Sequence, residues 1–135
     1  MPAIFFVASE AAAAQVTLNH DLPPGDVIEC GGVDTLKLST LWSIMDHTDW
    51  DPAMLRAFSE MKSTRSEWTY GMPADLTQKL ASLAGDDLVR VSEAWSATDE
   101  MACSPAEAQE LLRDLAPLAR RALQTQRQLF VYTSL

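Results

Sequence analysis

Ala3-Ile4-Phe5-Phe6-Val7-Ala8 near one end of the chain and Leu129-Phe130-Val131-Tyr132-Thr133 near the other decide the fold class. Both runs are apolar without a helical period, and both are rich in the aromatic and β-branched residues that suit a pleated, packed surface. The first reads as a strand buried on both faces. Lone strands are unstable in water, so the two runs most simply pair with each other beside whatever the middle of the chain builds. That middle is mostly helical in pattern. The expectation is an α+β fold, mainly α, with about five helices packed around one core and a small sheet formed by the N- and C-terminal strands.

Working inward from the first run, Ser9 to Val16 suits a helical turn or two, and His20 to Gly32 is a loop punctuated by Pro23-Pro24-Gly25 and Gly31-Gly32, with Val27-Ile28 a brief extended piece. From Asp34 the period becomes helical. Leu38, Leu41, Trp42 and Met45 share one face, and Asp34 or Thr35 caps the start. Asp51-Pro52 signals the next helix, because proline at the first helical position gives up an N–H that would be unpaired anyway. Its inner stripe is Met54, Leu55, Phe58 and Met61, with Trp50 placed to staple against Leu55. Lys62 to Gly71 reads as a polar connection.

Pro73 opens a helix whose Leu76, Leu80 and Leu83 repeat on one face, and Gly85 stands where a left-handed cap is wanted. Asp86 or Asp87 caps a further helix carrying Leu88, Val91 and Trp95, running to about Asp99. Ser104-Pro105-Ala106-Glu107 is a complete capping box with proline at the first helical position. The helix it starts continues through Leu111, Leu112, Leu115, Leu118 and Leu123, with Pro117 expected to bend it or remove a hydrogen bond near Arg113. No linker or repeat divides the chain, so residues 1–135 are read as one globular domain.

The net charge of −9 is the only strong departure from ordinary globular composition. It is uneven. Residues 1–55 hold eight acids against one base and residues 86–114 eight against two, whereas residues 115–135 hold three bases and no acid. Acidic surfaces are repelled by phosphate backbones and anionic lipid, so no nucleic-acid or membrane partner is expected, and a basic protein partner is favoured. Cys30 and Cys103 lie far apart with no zinc-type spacing, which suits two free buried thiols in a reducing compartment. No stretch has the basic start and long apolar core of an export signal, and none is long enough in apolar residues to span a bilayer. The expected location is cytoplasmic.

Asp46-His47-Thr48-Asp49-Trp50-Asp51 is the one place where a histidine lies among several carboxylates. His47 with Asp46 or Asp49 as orienter would suit a small hydrolase, and the three acids could ligate a hard cation. The same spacing describes a helix-to-helix connection in which Asp51 caps and His47 sits at a negative helix end. The loop lacks the glycine and terminal Glu of an EF-hand. His20 beside Asp21 reads as a surface pair, and Ser59, Ser63 and Ser66 have no adjacent base to activate them. No GxSxG, HExxH, phosphate-loop or dinucleotide motif occurs. No catalytic residue, metal ligand or cofactor is therefore assigned.

Glu67-Trp68-Thr69-Tyr70-Gly71 places two large aromatics in a polar stretch, a composition that either closes a core or anchors an interface. The reading favoured on these grounds is a small acidic intracellular protein-binding module. In outline it is comparable to immunity or inhibitor proteins that neutralise a basic partner, although no motif carries that comparison. Its candidate contact residues are Asp46, Asp49, Asp51, Trp68, Tyr70, Asp86, Asp87, Glu93, Asp99 and Glu100. The alternatives are the His47 enzyme and a homo-oligomer subunit whose terminal strands extend a sheet between copies.

Overall fold

In the computed structural model, which describes residues 2–135, Phe5 stands opposite Val131 and Phe6 opposite Phe130 in an antiparallel ladder joining the two ends of the chain. The first strand, β1 (Pro2–Ala8), and the last, β5 (Gln128–Ser134), are the expected terminal pair. They form the middle of a larger sheet. β2 (Val27–Gly31) pairs with the free side of β1, β4 (Glu67–Gly71) with the free side of β5, and β3 (Ser59–Ser63) with β4. The order is β2-β1-β5-β4-β3, antiparallel throughout. Among the described residues the sheet is accompanied by six α-helices: α1 (Glu10–Ala13), α2 (Thr35–Met45), α3 (Ala53–Arg56), α4 (Ala74–Ala81), α5 (Gly85–Ser96) and α6 (Pro105–Gln124).

The small sheet expected from the two ends is thus a five-stranded one, and the central position of β1 and β5 explains their composition. A strand paired on both edges and packed on both faces has no polar side to present. Residues Ala3 to Val7 are at most 2% exposed. The same arrangement closes the route by which the terminal strands would extend a sheet between copies, since the free edges belong to β2 and β3.

The largest departure from the sequence reading is at residues 52–63. The helix expected to carry Met54, Leu55, Phe58 and Met61 lasts one turn, and Ser59–Ser63 leaves it to become β3. Its pairing with β4 shifts register between Glu60 and Lys62, so that Met61 packs with the residues behind the sheet. Helical period and strand pairing compete here, and the open edge of β4 decides the outcome by supplying backbone partners that the local sequence pattern cannot show. Thr64 closes the hairpin: its Oγ1 accepts from the amides of Ser66 and Glu67. The polar connection expected over Lys62–Gly71 is therefore the end of β3, a turn and β4.

The caps fare better. Asp34 accepts from the Lys37 amide at 3.0 Å, Asp51 accepts from the Ala53 amide at 2.8 Å, and both bonds of the Ser104–Glu107 capping box are made. Gly85 adopts a left-handed conformation, at φ +57°, but not as the expected cap of α4, which ends earlier with Ser82 as its cap; Gly85 is the first residue of α5. The start of α5 differs from expectation, because the residue before it is Ala84 and Asp86 and Asp87 lie in the first turn without a capping bond. There they still favour the positive end of the helix. α6 runs unbroken through Pro117; both Pro117 and Arg113 are exposed, so the carbonyl that loses its partner lies on the solvent side.

Two separate apolar clusters flank the sheet. On one face α6 lies over β2, β1 and β5, with α4 and α5 packed against it and α2 against α5. Phe5, Val7, Leu129 and Val131 meet Leu38, Leu76, Trp95 and Leu112 there. The opposite face carries Ile4, Phe6, Phe130 and Tyr132, with Phe6 and Phe130 stacked at 5.3 Å. It is covered by the segment from Ser9 to Asp26, through Ala13, Val16 and Leu22.

That segment is pinned at its end by Asp26, which is 3% exposed and sits in a turn of 3₁₀ helix. Arg127 grips both carboxylate oxygens at 3.0 Å, and the Nε of Arg121 bonds Oδ1. The hydrogen bonds from Arg127 hold the Asp26 carboxyl below its usual range, against the opposing effect of burial, and Arg121 adds to them. Arg127 is delivered by the way α6 ends. The amide of Gln126 bonds Leu123 O and that of Arg127 bonds Ala122 O, with Gln126 at φ +55°, which is a Schellman turn without its usual glycine.

Candidate functional site

α2 organises the concave surfaces of the molecule. Its residues Leu38 and Leu41 face the core, and Trp95 ties α5 to it by donating from Nε1 to the Lys37 carbonyl at 3.0 Å. A cavity opens at its C-terminal end, and two more open on either side of its N-terminal end.

The C-terminal groove, about 490 Å³, has a floor of Ile44, Met45, Leu83 and Val91 and a rim of His47, Asp75, Lys79, Asp87 and Arg90. His47 reaches it as the left-handed residue of a second Schellman turn, at φ +55°, with the amides of His47 and Thr48 bonding the carbonyls of Ile44 and Ser43. The carboxylates around His47 are turned to other partners. Lys79 holds Asp46 at 3.3 Å and Asp75 at 3.6 Å, Trp42 donates to Asp75 at 2.9 Å, and Arg90 pairs with Asp87. Asp51 is occupied as a cap, and the Trp50 indole donates to the Ser39 hydroxyl at 2.8 Å. Among the described residues no three of His, Cys, Asp and Glu are grouped to hold a metal ion.

The first N-terminal cavity is a slot of about 260 Å³ between α2 and the helix-facing side of β4 and β5. Trp68 and Tyr70, two apart on β4, point to the same side of the sheet. Val131 and Thr133, their cross-strand partners on β5, complete the sheet side of the slot, and Asp34 and Thr35 close it from α2. α6 packs over the β2, β1 and β5 half of the sheet, leaving both aromatics half-buried.

The second N-terminal cavity, about 340 Å³, lies across the Gly31–Lys37 segment between β2 and the start of α6. Glu29, Glu107, Glu110 and Asp114 line it, with Lys37 as the one cation, and Lys37 Nζ is bonded to the Gly32 carbonyl. Cys30 and Cys103, 73 positions apart, line this same cleft as half-buried free thiols. Burial pushes the Cys30 thiol up to about 12 and raises that of Cys103, where Glu107 adds to the effect. Both are therefore protonated at neutral pH and poor nucleophiles.

The sequence-derived contact residues are thus divided. Trp68 and Tyr70 stand at the N-terminal end of α2. Roughly 16 Å away along an eleven-residue helix, Asp87 lines the C-terminal groove beside His47, and Asp46 reaches it only through its ion pair with the groove residue Lys79. Asp49 and Asp51 are exposed in the connection after α2, Asp86 and Glu93 are exposed on α5, and Asp99 and Glu100 follow it. What sequence reasoning missed is the second set of acids: Glu29, Glu107, Glu110 and Asp114 come from two distant elements, and only packing of β2 against α6 brings them together. The spacing of Glu107, Glu110 and Asp114 at three and four residues along one helix was the available signal.

A further polar island sits behind the sheet. The Tyr132 hydroxyl donates to Glu67, Lys62 pairs with Glu67 at 3.4 Å, and Lys62 Nζ lies 5.5 Å from the Tyr132 ring centre. Burial, with Glu67 as hydrogen-bond partner, pushes the Tyr132 phenol up to about 12, and the same bond lowers Glu67. No helix among the described residues is long and apolar enough to cross a membrane. Compared with known protein families, curated proteins and solved structures, the chain matches none.

Proposed function

We propose that this chain is an acidic protein-binding module whose partner presents a basic surface, acting in the manner of an inhibitor that masks that surface. One observation carries the reading. At the N-terminal end of α2 an aromatic slot and a cleft with four carboxylates lie on opposite sides of one short segment, and the single ammonium in the cleft is already bonded to a backbone carbonyl. A concave surface with one sign of charge focuses its field and raises the encounter rate of an oppositely charged partner. Half-buried Trp and Tyr supply the rigid anchors that interfaces use.

The test is affinity capture from extracts of the source cells, comparing the natural chain with a Glu110→Lys, Asp114→Lys variant. Both positions are exposed on α6, so folding is unaffected. The expected result is one stoichiometric basic protein whose retention falls steeply with salt and is lost by the variant. A partner retained equally by both chains, at low and high salt, overturns the reading.

A further inference from the structure

We infer that the slot between α2 and β4 receives the guanidinium of an arginine side chain presented by that basic partner, an inference that rests on the protein-binding reading above. The cavity volume, about 260 Å³, falls below the roughly 300–1,000 Å³ of small-molecule sites and is on the scale of one inserted side chain. Its walls are chemically matched to a planar cation. Trp68 and Tyr70 offer aromatic surface, and Asp34 is the only charged residue among those lining the slot.

Several groups in the slot are uncommitted. Trp42, Trp50 and Trp95 each donate their indole N–H to a protein acceptor, whereas among the described residues Trp68 Nε1 and the Tyr70 hydroxyl have no partner. Neither atom is fully buried, so a ligand can reach both without breaking a protein bond. Asp34 uses Oδ1 for the Lys37 amide, and among the described residues Oδ2 has no partner. The positive end of α2, roughly half a charge, opposes a cation, but the full negative charge of Asp34 at the cap outweighs it.

Arginine fits better than lysine for a physical reason. Guanidinium is weakly hydrated, stacks on aromatic faces and can meet the free carboxylate oxygen at its edge, while an ammonium must give up a tight hydration shell to enter. The occupant follows from charge complementarity. Glu60 stands opposite Tyr70 on the neighbouring strand, and the four-carboxylate cleft begins on the far side of Gly32, so a chain leaving the slot in either direction meets acid. A neutral or acidic segment has no match on these flanks.

The experiment titrates the intact protein with short glycine–serine peptides carrying one arginine, one lysine or one citrulline, and follows the indole N–H resonances by NMR. Trp68 is assigned by its disappearance in Trp68→Phe. The arginine peptide is expected to shift the Trp68 resonance saturably, with citrulline weaker by about tenfold and lysine intermediate. Asp34→Asn keeps an equally good helix cap, so it retains the fold while weakening the arginine peptide by about fivefold. Equal shifts from the arginine and citrulline peptides, or shifts that spare Trp68, overturn the inference. Capture of a basic protein that is indifferent to Asp34→Asn and Trp68→Phe would also overturn it while leaving the protein-binding reading intact. A saturable arginine shift with no basic partner captured would keep the slot as a guanidinium site but overturn the basic protein as its source, together with the protein-binding reading.

Discussion

The two faces of the sheet are sealed by different means. The helical face buries Leu38, Leu76, Trp95, Leu112 and their neighbours under four helices, α2, α4, α5 and α6. The opposite face is covered by residues 9–26, which hold only a four-residue helix and a single 3₁₀ turn and are fastened by one carboxylate between two arginines. Apolar area makes the first face cooperative with the whole fold, whereas the second depends on a charge cluster at one end of a short cover. Local opening free energies follow that kind of difference, so the cover should exchange and titrate before the core does.

The strongest way to break the comparison is at Trp95, fully buried and bonded to Lys37 O. Trp95→Ala removes the largest core side chain and its hydrogen bond and should lower global stability by about 4 kcal/mol, read by denaturant unfolding. Hydrogen exchange should accelerate across α2, α5 and α6 together.

Asp26→Asn comes next, at about 2 kcal/mol. The figure lies below the 3–5 kcal/mol of a fully buried pair because Arg121 and Arg127 remain 46% and 28% exposed. Its effect should concentrate in exchange of residues 9–26. If Asp26→Asn speeds α5 and α6 as much as Trp95→Ala does, the two faces are not distinct. The same contrast has a pH form. Asp26 and Glu67 have lowered folded values, so the stability they contribute is complete above the ordinary carboxyl pKa of about 4 and is lost as pH falls through their folded values. Acid titration should therefore release the cover at a higher pH than it changes Trp95 fluorescence.

Ser104→Ala removes the hydroxyl half of the capping box and should cost about 1 kcal/mol, felt along α6 on the helical face. The smallest effect is a gain. Gln126→Gly relieves a left-handed residue at the turn that delivers Arg127, offset by the extra freedom glycine has when unfolded, and should raise the thermal midpoint by the equivalent of about 0.5 kcal/mol. A loss of stability there would mean that the turn is held by the Gln126 side chain itself.

Whatever depends on a residue and its close neighbours was legible in the sequence. The two buried terminal strands, the caps at Asp34 and Ser104, the left-handed Gly85 and the helical faces of Leu76 and Trp95 are all set by local sterics, by missing or supplied hydrogen bonds, and by the period of the apolar residues. Trp68 and Tyr70 were recognisable as unusual for the same reason. Only the tertiary structure decided that Ser59–Ser63 is a strand, because its backbone partners lie on β4 and its apolar spacing suits either element. The end of α2 was legible from the position of His47 at a negative helix end, but the left-handed turns at His47 and Gln126 were hidden, since neither carries the glycine that would have marked them. Packing alone also brought Asp34 to the aromatics and carried Glu29 and Cys30 across to α6. Charge and aromatic content are properties of the chain, but a concave surface depends on which distant elements pack together.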